Sequence, residues 1–171
     1  TFHEQGGLVG LDWVQTFLKE PGMELVHTCG AMADAVAPDH MDLIKDVVSV
    51  WNPQTREFHS LLALGSEVAG HPRITHGGLT AAILDETTGM LVYEGKRAGW
   101  LGPGQAFTAR LEVDYRRPLP VDVEVVCTAS LLETQGRKIW VRTEMRDRPG
   151  GEIYAEGKAL FVSVKQPEQA T

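Results

Sequence analysis

One stretch of the chain combines a histidine, two glycines and a carboxylate at spacings that suit chemistry. It runs His76-Gly77-Gly78 and reaches Asp85 seven residues after Gly78. The apolar spacing over residues 79–93 predicts a helix that begins at the glycines and ends near Gly95. The first turn of a helix leaves amide N–H groups unpaired and carries partial positive charge, so it suits a carbonyl oxygen, an anion or a developing oxyanion.

One face of the predicted helix consists of small residues plus the carboxylate. The residues that share this face are Gly78, Ala81, Ala82, Asp85 and Gly89. Gly78 and Asp85 lie roughly 10 Å apart along the helix axis. A reacting carbonyl, however, must lie about 3 Å from its oxyanion donors and close to the base or its water. Because one helix cannot meet both conditions, we predict a two-fold dimer in which antiparallel helices bring each Asp85 to the other subunit's glycine turn.

The composition is that of one globular domain with enough chain for a real core. The 171 residues are 43% hydrophobic and 23% charged, which is ordinary for a soluble protein. The net charge of −7 argues against nucleic acid as a partner. No run of the sequence approaches the roughly 18 apolar residues of a membrane span.

The cysteines and histidines do not form a metal motif. Cys29 and Cys127 lack metal or redox spacing, and His71 and His76 have no third ligand near them. Cys127 lies in an apolar run, which predicts a buried thiol and favours the cytoplasm or another reducing compartment. We therefore expect neither a metal nor another cofactor.

Residues 1–42 stand apart from the rest of the predicted domain. Residues 7–20 have an amphipathic pattern whose apolar stripe predicts a helix. The stripe is Trp13, Phe17 and Leu18. This helix is either a lid over a substrate mouth or a packing helix or mobile arm. Residues 27–40 are predicted as a connecting loop and residues 166–171 as a C-terminal tail.

The remaining segments read as strands separated by turn-forming residues. The predicted strands are 43–51, 57–65, 106–116, 121–132, 137–147 and 152–164, with loops at 66–75 and 95–104. In the third strand, strict alternation places Phe107, Ala109, Leu111, Val113 and Tyr115 on one face. It places Thr108 and the charged residues on the other face. The fold class is therefore α+β, with one long helix against an antiparallel sheet of about six strands in a roll-like arrangement.

These residues resemble the hotdog-fold acyl-CoA thioesterases, particularly the group similar to carboxyl-terminal modulator protein. The shared elements are His76-Gly77-Gly78, Asp85 nine residues after the histidine, and the strand that starts at Thr108 and continues to Pro120. Gly136-Arg137-Lys138 and Tyr154-Ala155-Glu156 extend the match. The resemblance implies a hotdog domain over residues 43–165 that hydrolyses an acyl thioester to acid and thiol. It also implies a homodimer and leaves a tetramer open.

The resemblance gives the matching residues roles. Asp85 would be the general base or the nucleophile, and Thr108 would hold the attacking water or orient Asp85. Gly78 would donate its N–H to the thioester carbonyl, with Gly77 or Leu79 assisting. His76 would shape the turn or contact the thioester. The purely structural alternatives are a polar tie across the dimer for Asp85 and a tight turn for Gly78.

The substrate and the charge of the site leave further alternatives. Arg116, Arg117, Arg137 and Lys138 are the concentrated basic positions. They would receive the anionic phosphates of coenzyme A or else be solvated strand ends. The acyl carrier would be coenzyme A or the pantetheine arm of a carrier protein. Glu86, where relatives tend to have a small residue, either contacts solvent or a loop or alters the charge of the site. The alternative functions are another reaction on a thioester-linked intermediate and non-enzymatic binding of such a thioester.

Overall fold

The computed structural model describes residues 2, 4–27 and 42–164. Most of the predicted connecting loop, including Cys29, and the predicted C-terminal tail lie outside these residues. The elements, in chain order, are a 3-10 turn Leu8–Gly10, helix α1 Asp12–Leu18, strands β1 Glu24–Val26, β2 Ile44–Asn52, β3 Glu57–Leu64, β4 Ala69–His71 and β5 Ile74–Thr75, helix α2 Gly77–Arg97, and strands β6 Ala106–Tyr115, β7 Glu124–Gln135, β8 Lys138–Arg146 and β9 Ile153–Ser163.

Seven of the strands in the described residues form one antiparallel sheet in the order β1-β2-β3-β7-β8-β9-β6. Helix α2 crosses one face of this sheet and contacts β3, β7, β8, β9 and β6. The predicted α+β architecture is therefore confirmed, and β1 adds a strand to the predicted six. None of the helices in the described ranges is long and apolar enough to cross a membrane.

Helix α2 is held by apolar burial against the sheet. Ile83, Leu84 and Leu91 are fully buried and pack on the inner face, which is the sheet face that α2 covers. The small-residue face points away from this core, because Gly78 and Ala82 are exposed and Asp85 is half-buried. Burial of a large aliphatic side chain contributes roughly 1.5–3 kcal/mol, so the apolar stripe fixes which helix face stays open.

Helix α1 covers the outer face of the sheet, opposite α2. Its buried Val14 and Phe17 pack with Val50 of β2 and Leu61 of β3. The preceding turn is anchored where the Asp46 carboxylate accepts a 2.8 Å hydrogen bond from the Leu8 amide. In this position α1 is a packing helix, so the packing alternative describes it and the lid alternative does not.

Several predicted boundaries differ from the observed ones. The strand predicted at 121–132 runs from Glu124 to Gln135. Helix α2 continues to Arg97, two residues past its predicted end near Gly95. A Cβ at Gly95 would lie 2.7 Å from the Trp100 ring, so this glycine lets the returning chain pack on the helix. The predicted loop at 66–75 contains the β4–β5 hairpin, and Thr75 at its end donates its amide to Leu119 at 2.7 Å.

Candidate active site

The start of α2 is capped by the histidine that precedes it. His76 Nδ1 accepts a 2.8 Å hydrogen bond from the Gly78 amide, so the proton of the neutral imidazole lies on Nε2. The Leu79 amide donates to the His76 carbonyl at 3.0 Å. The predicted oxyanion donor Gly78 and its predicted assistant Leu79 therefore both have local partners. Among the described residues, the Gly77 amide makes no hydrogen bond.

The His76 ring packs closely against two glycines, Gly70 and Gly78. A Cβ at Gly70 would lie 2.7 Å from the ring, and a Cβ at Gly78 would lie 2.9 Å from it. Real Cβ atoms essentially never approach this closely, so the ring position requires glycine at both sites. Gly77 differs, because a Cβ there would meet the Tyr115 ring at 3.4 Å, an ordinary contact. Gly78 thus has a packing reason to be glycine within the protomer, whereas Gly77 does not.

Asp85 and Thr108 meet on the open side of α2. The Thr108 hydroxyl donates to Asp85 Oδ1 at 2.8 Å, and within the described residues Oδ2 makes no hydrogen bond. Thr108 is exposed and Asp85 half-buried, so this carboxylate can be reached from outside the protomer. The pair brings together two predicted catalytic residues.

A β-bulge makes this contact. The pairing of β6 with β9 shifts between Thr108 and Arg110, so Ala109 is the extra residue. Thr108 pairs with the buried Phe161 and therefore lies on the same face as Leu111, which is on the helix side. The predicted strict alternation, which placed Thr108 on the opposite face, is wrong because it assumed no bulge.

Within one protomer, the helix start and Asp85 remain apart. Gly77 and Asp85 are eight residues apart along α2, which is about 12 Å at about 1.5 Å per residue. The described chain therefore holds two half-sites on one helix face. One is the turn with a free Gly77 amide, and the other is the Asp85–Thr108 pair.

A groove of about 380 Å³ adjoins the Gly77 turn. Its walls include Tyr115, Arg116, Arg117 and Tyr154. The Tyr115 hydroxyl donates to the Gly77 carbonyl at 2.7 Å, which ties the turn to the end of β6. Tyr115 was not predicted as a site residue, although the predicted alternation had placed it on the same face as Leu111.

The predicted basic residues divide between two places. Arg116 and Arg117 line the Gly77 groove, where Arg116 binds Glu156 at 2.8 Å and Arg117 binds Glu152. Arg137 lines a separate cavity of about 400 Å³ beside Trp100, past the C-terminal end of α2. Lys138 follows it as the exposed first residue of β8. A single protomer therefore does not gather the four cations around one ligand.

The fold and the sequence define the class of this domain. Residues 73–154 match the model of the thioesterase superfamily. The hotdog fold is shared with solved structures. The putative thioesterase yhdA from Lactococcus lactis superposes with a TM-score of 0.61 at 19% identity, over 81% of this chain and 100% of that one. The predicted hotdog resemblance is confirmed.

Two further similar proteins are connected with coenzyme A. One is named as an acyl-coenzyme A thioesterase, and the other was solved with CoA. Acyl-coenzyme A thioesterase THEM4 from Xenopus laevis is 31% identical over 114 residues, which are 67% of this chain and 48% of that protein. The BH2602 protein from Bacillus halodurans, solved with CoA, superposes with a TM-score of 0.57 at 24% identity, over 70% of this chain and 74% of that one. The chain spans about half the length of the curated relatives it matches.

Proposed function

We propose that this protein is a thioesterase that hydrolyses an acyl thioester, carried by coenzyme A or by a carrier protein, to the free acid and the thiol. The observation that carries the proposal is the 2.8 Å hydrogen bond from Thr108 to an otherwise accessible Asp85. It holds one carboxylate oxygen and leaves the other for chemistry. The relatives described as acyl-coenzyme A thioesterases support the substrate class.

Two routes fit a carboxylate held in this way. As a base, Asp85 takes a proton from water while the water oxygen bonds to the thioester carbon. The tetrahedral oxyanion then collapses, the C–S bond breaks and the sulfur leaves as the thiol after taking up that proton. As a nucleophile, Asp85 bonds to the same carbon and releases the thiol. Water then cleaves the mixed anhydride to regenerate the carboxylate.

The oxyanion needs a donor that is not already committed, and this favours the Gly77 amide. The Gly78 amide would first have to leave His76 Nδ1, at the cost of the helix cap, whereas Gly77 loses no hydrogen bond. Because Gly77 and Asp85 lie about 12 Å apart on one helix, the donor for each Asp85 would come from Gly77 of the partner subunit.

The dimer that this proposal requires has support in two features of the described chain. Strand β6 is an edge of the sheet, with Phe107 58% and Tyr115 55% exposed. An uncovered edge strand is a template for pairing with another chain. The small residues of α2 lie beside this edge, so two-fold pairing of β6 with its copy would bring two α2 helices together in antiparallel directions.

Arg116 and Arg117 are the proposed contacts for the anionic end of the substrate. They line the groove that begins at Gly77, so a thioester at Gly77 would direct its carrier along them. Arg137 and Lys138 would contact only a part of the substrate that extends toward the other end of α2. Arg116 and Arg117 would exchange their hydrogen bonds to Glu156 and Glu152 for hydrogen bonds to phosphate.

The deciding experiment measures thiol release from short, long and aromatic acyl-CoA thioesters. Wild type should release thiol from at least one of them, and Asp85→Asn should lower kcat/KM by a factor of 100 or more, which is about 2.7 kcal/mol. Asp12→Asn makes the same change at an exposed position of α1, on the outer face, and should leave the rate unchanged.

Other outcomes reject parts of the proposal. Equal rates for wild type and Asp85→Asn would remove Asp85 from the chemistry. Binding of the thioesters without turnover would favour a non-hydrolytic binder. The protein can also be diluted until sedimentation shows that it is monomeric. A specific activity that stays constant over this dilution would refute the shared site.

A further inference from the structure

A second cavity, of about 460 Å³, lies on the outer face of the sheet beyond the end of α1. Its volume is in the range of small-molecule sites. The floor is formed by His59, Thr128 and Glu144, which pair across β3, β7 and β8. Phe17 and Met23 form an apolar wall. The sheet separates this cavity from α2 and from Asp85.

An unsatisfied imidazole lies in this floor. The His59 side chain is only 4% exposed, and its Nδ1 is 2.8 Å from the Thr128 hydroxyl. Its Nε2 is buried and has no hydrogen-bond partner among the described residues, since Glu57 Oε2 lies 3.6 Å away. A buried polar atom without a hydrogen-bond partner is unfavourable, so a bound group that satisfies Nε2 would be stabilised there.

The charge around the cavity is negative. Arg146 is already neutralised, because its Nε donates to Glu144 at 2.9 Å. Glu20 and Glu57 also line the cavity, and neither has a lysine or arginine within 4.0 Å in the described part of the chain. The uncompensated charge therefore favours a cation.

The cation that fits is organic rather than metallic. No group of three or more His, Cys, Asp or Glu in the described residues could hold a metal ion. The Phe17 ring meets His59 edge-on at 4.9 Å between centroids, so the apolar wall lies directly beside the imidazole. An ammonium group on a short apolar body would match both walls.

We propose that this outer cavity binds a small primary amine in its protonated form. The ammonium lies between Glu57 and Glu20 and donates to His59 Nε2, while Nδ1 carries the ring proton and donates to Thr128. The apolar body of the ligand packs on Phe17 and Met23. This site is independent of the thioesterase proposal and would bind its ligand with Asp85 replaced.

The test titrates 2-phenylethylamine, and separately the neutral 2-phenylethanol, into the ¹⁵N-labelled protein at pH 7.5. Saturable shifts should map to the cavity, including the Thr128 amide and the His59 ring nitrogens, with the amine at least tenfold tighter than the alcohol. Glu57→Gln should weaken the amine at least fivefold and leave the alcohol unchanged. Its carboxylate is 37% exposed, so the variant should fold normally.

The matched control is Glu133→Gln, which makes the same charge change at an exposed residue of β7 outside the cavity. It should leave both affinities unchanged. The proposal is overturned by an absence of saturable shifts at the cavity or by equal affinity for amine and alcohol. It is also overturned if Glu133→Gln weakens the amine as much as Glu57→Gln does.

Discussion

The inner and outer faces of the sheet each bury a titratable group, and burial acts on the two in opposite directions. Under α2, burial raises the pKa of the Cys127 thiol from 9.0 to about 11. On the outer face beside Phe17, burial lowers the pKa of the His59 imidazole from 6.5 to about 4. In the folded protein both groups are therefore neutral between about pH 4 and about pH 11. Burial thus keeps both of these groups neutral, whereas Asp85, the carboxylate proposed for chemistry, is only half-buried on the uncovered side of α2.

The outer face should make the protein sensitive to acid. Between pH 6.5 and about 4, unfolded His59 takes up a proton that the folded protein does not accept. Stability contributed by the neutral imidazole is therefore complete above pH 6.5 and is lost as the pH falls, by up to about 1.4 kcal/mol per pH unit. Urea unfolding of wild type and His59→Gln over pH 7.5 to 4 measures this difference.

The variant should be less stable at neutral pH but lose less stability on acidification, because glutamine does not titrate. The carboxylates contribute equally to both proteins, so the difference between the two profiles isolates the histidine. Parallel profiles would show that His59 titrates normally and that the outer face is open to water.

The inner face should respond to alkali instead. Between pH 9 and about 11 the unfolded Cys127 thiol loses its proton while the folded one keeps it. Stability is therefore lost as the pH rises through this interval, again by up to about 1.4 kcal/mol per pH unit. Cys127→Ser keeps a hydrogen-bonding group near Thr143, 3.4 Å from the thiol, and should flatten the difference measured by urea unfolding. An unchanged alkaline slope would contradict burial of the thiol.

Substitution of Thr108, which lies beside Asp85, should change the activity rather than the stability of the protein. Thr108→Val removes the hydroxyl that holds Asp85, and a hydrogen bond to a charged group contributes about 1.5–3 kcal/mol. We expect kcat/KM for the best thioester to fall roughly 10- to 100-fold, with little change in the melting temperature because Thr108 is exposed. Thr108→Ser keeps the hydroxyl and should restore most of the rate. Failure of serine to do so would assign Thr108 a packing role.

The sequence predicted the elements well where the pattern is local. The apolar spacing of Ile83, Leu84 and Leu91 identified the buried face of α2, and the small residues identified its open face. A turn at Gly136-Arg137 separates β7 from β8, one residue after the predicted Gln135-Gly136. These features depend on residues within one or two turns of each other, which periodicity detects.

Features that depend on distant contacts were not predictable in this way. The bulge at Ala109 depends on the pairing of β6 with β9, and the alternating residue pattern of β6 alone does not indicate it. The glycine requirement at Gly78 arises from the His76 ring, and the same ring also rests on Gly70. The sequence left Gly78 either as an oxyanion donor or as part of a tight turn, whereas the structure gives Gly78 a packing need and Gly77 none.

The different packing needs of Gly78 and Gly77 give the smallest predicted effect and the clearest contrast between two variants. Gly78→Ala should displace the His76 ring, because the new Cβ would lie 2.9 Å from it, and so should remove the helix cap at a cost of about 1 kcal/mol. Gly77→Ala meets Tyr115 at an ordinary 3.4 Å and should leave thermal stability unchanged or slightly raised. If the Gly77 amide receives the oxyanion, however, a methyl group beside it should lower kcat/KM about tenfold.

Calorimetry and thiol release on the two variants therefore distinguish fold from chemistry at adjacent positions. The stability loss should follow Gly78→Ala, and an activity loss without a stability loss should follow Gly77→Ala. His76→Asn, which keeps a side-chain acceptor at the cap position, should preserve stability and show how much of the Gly78 effect is due to the cap alone. Full activity in Gly77→Ala would exclude its amide as the donor and return the role to Gly78, released from His76 when substrate binds.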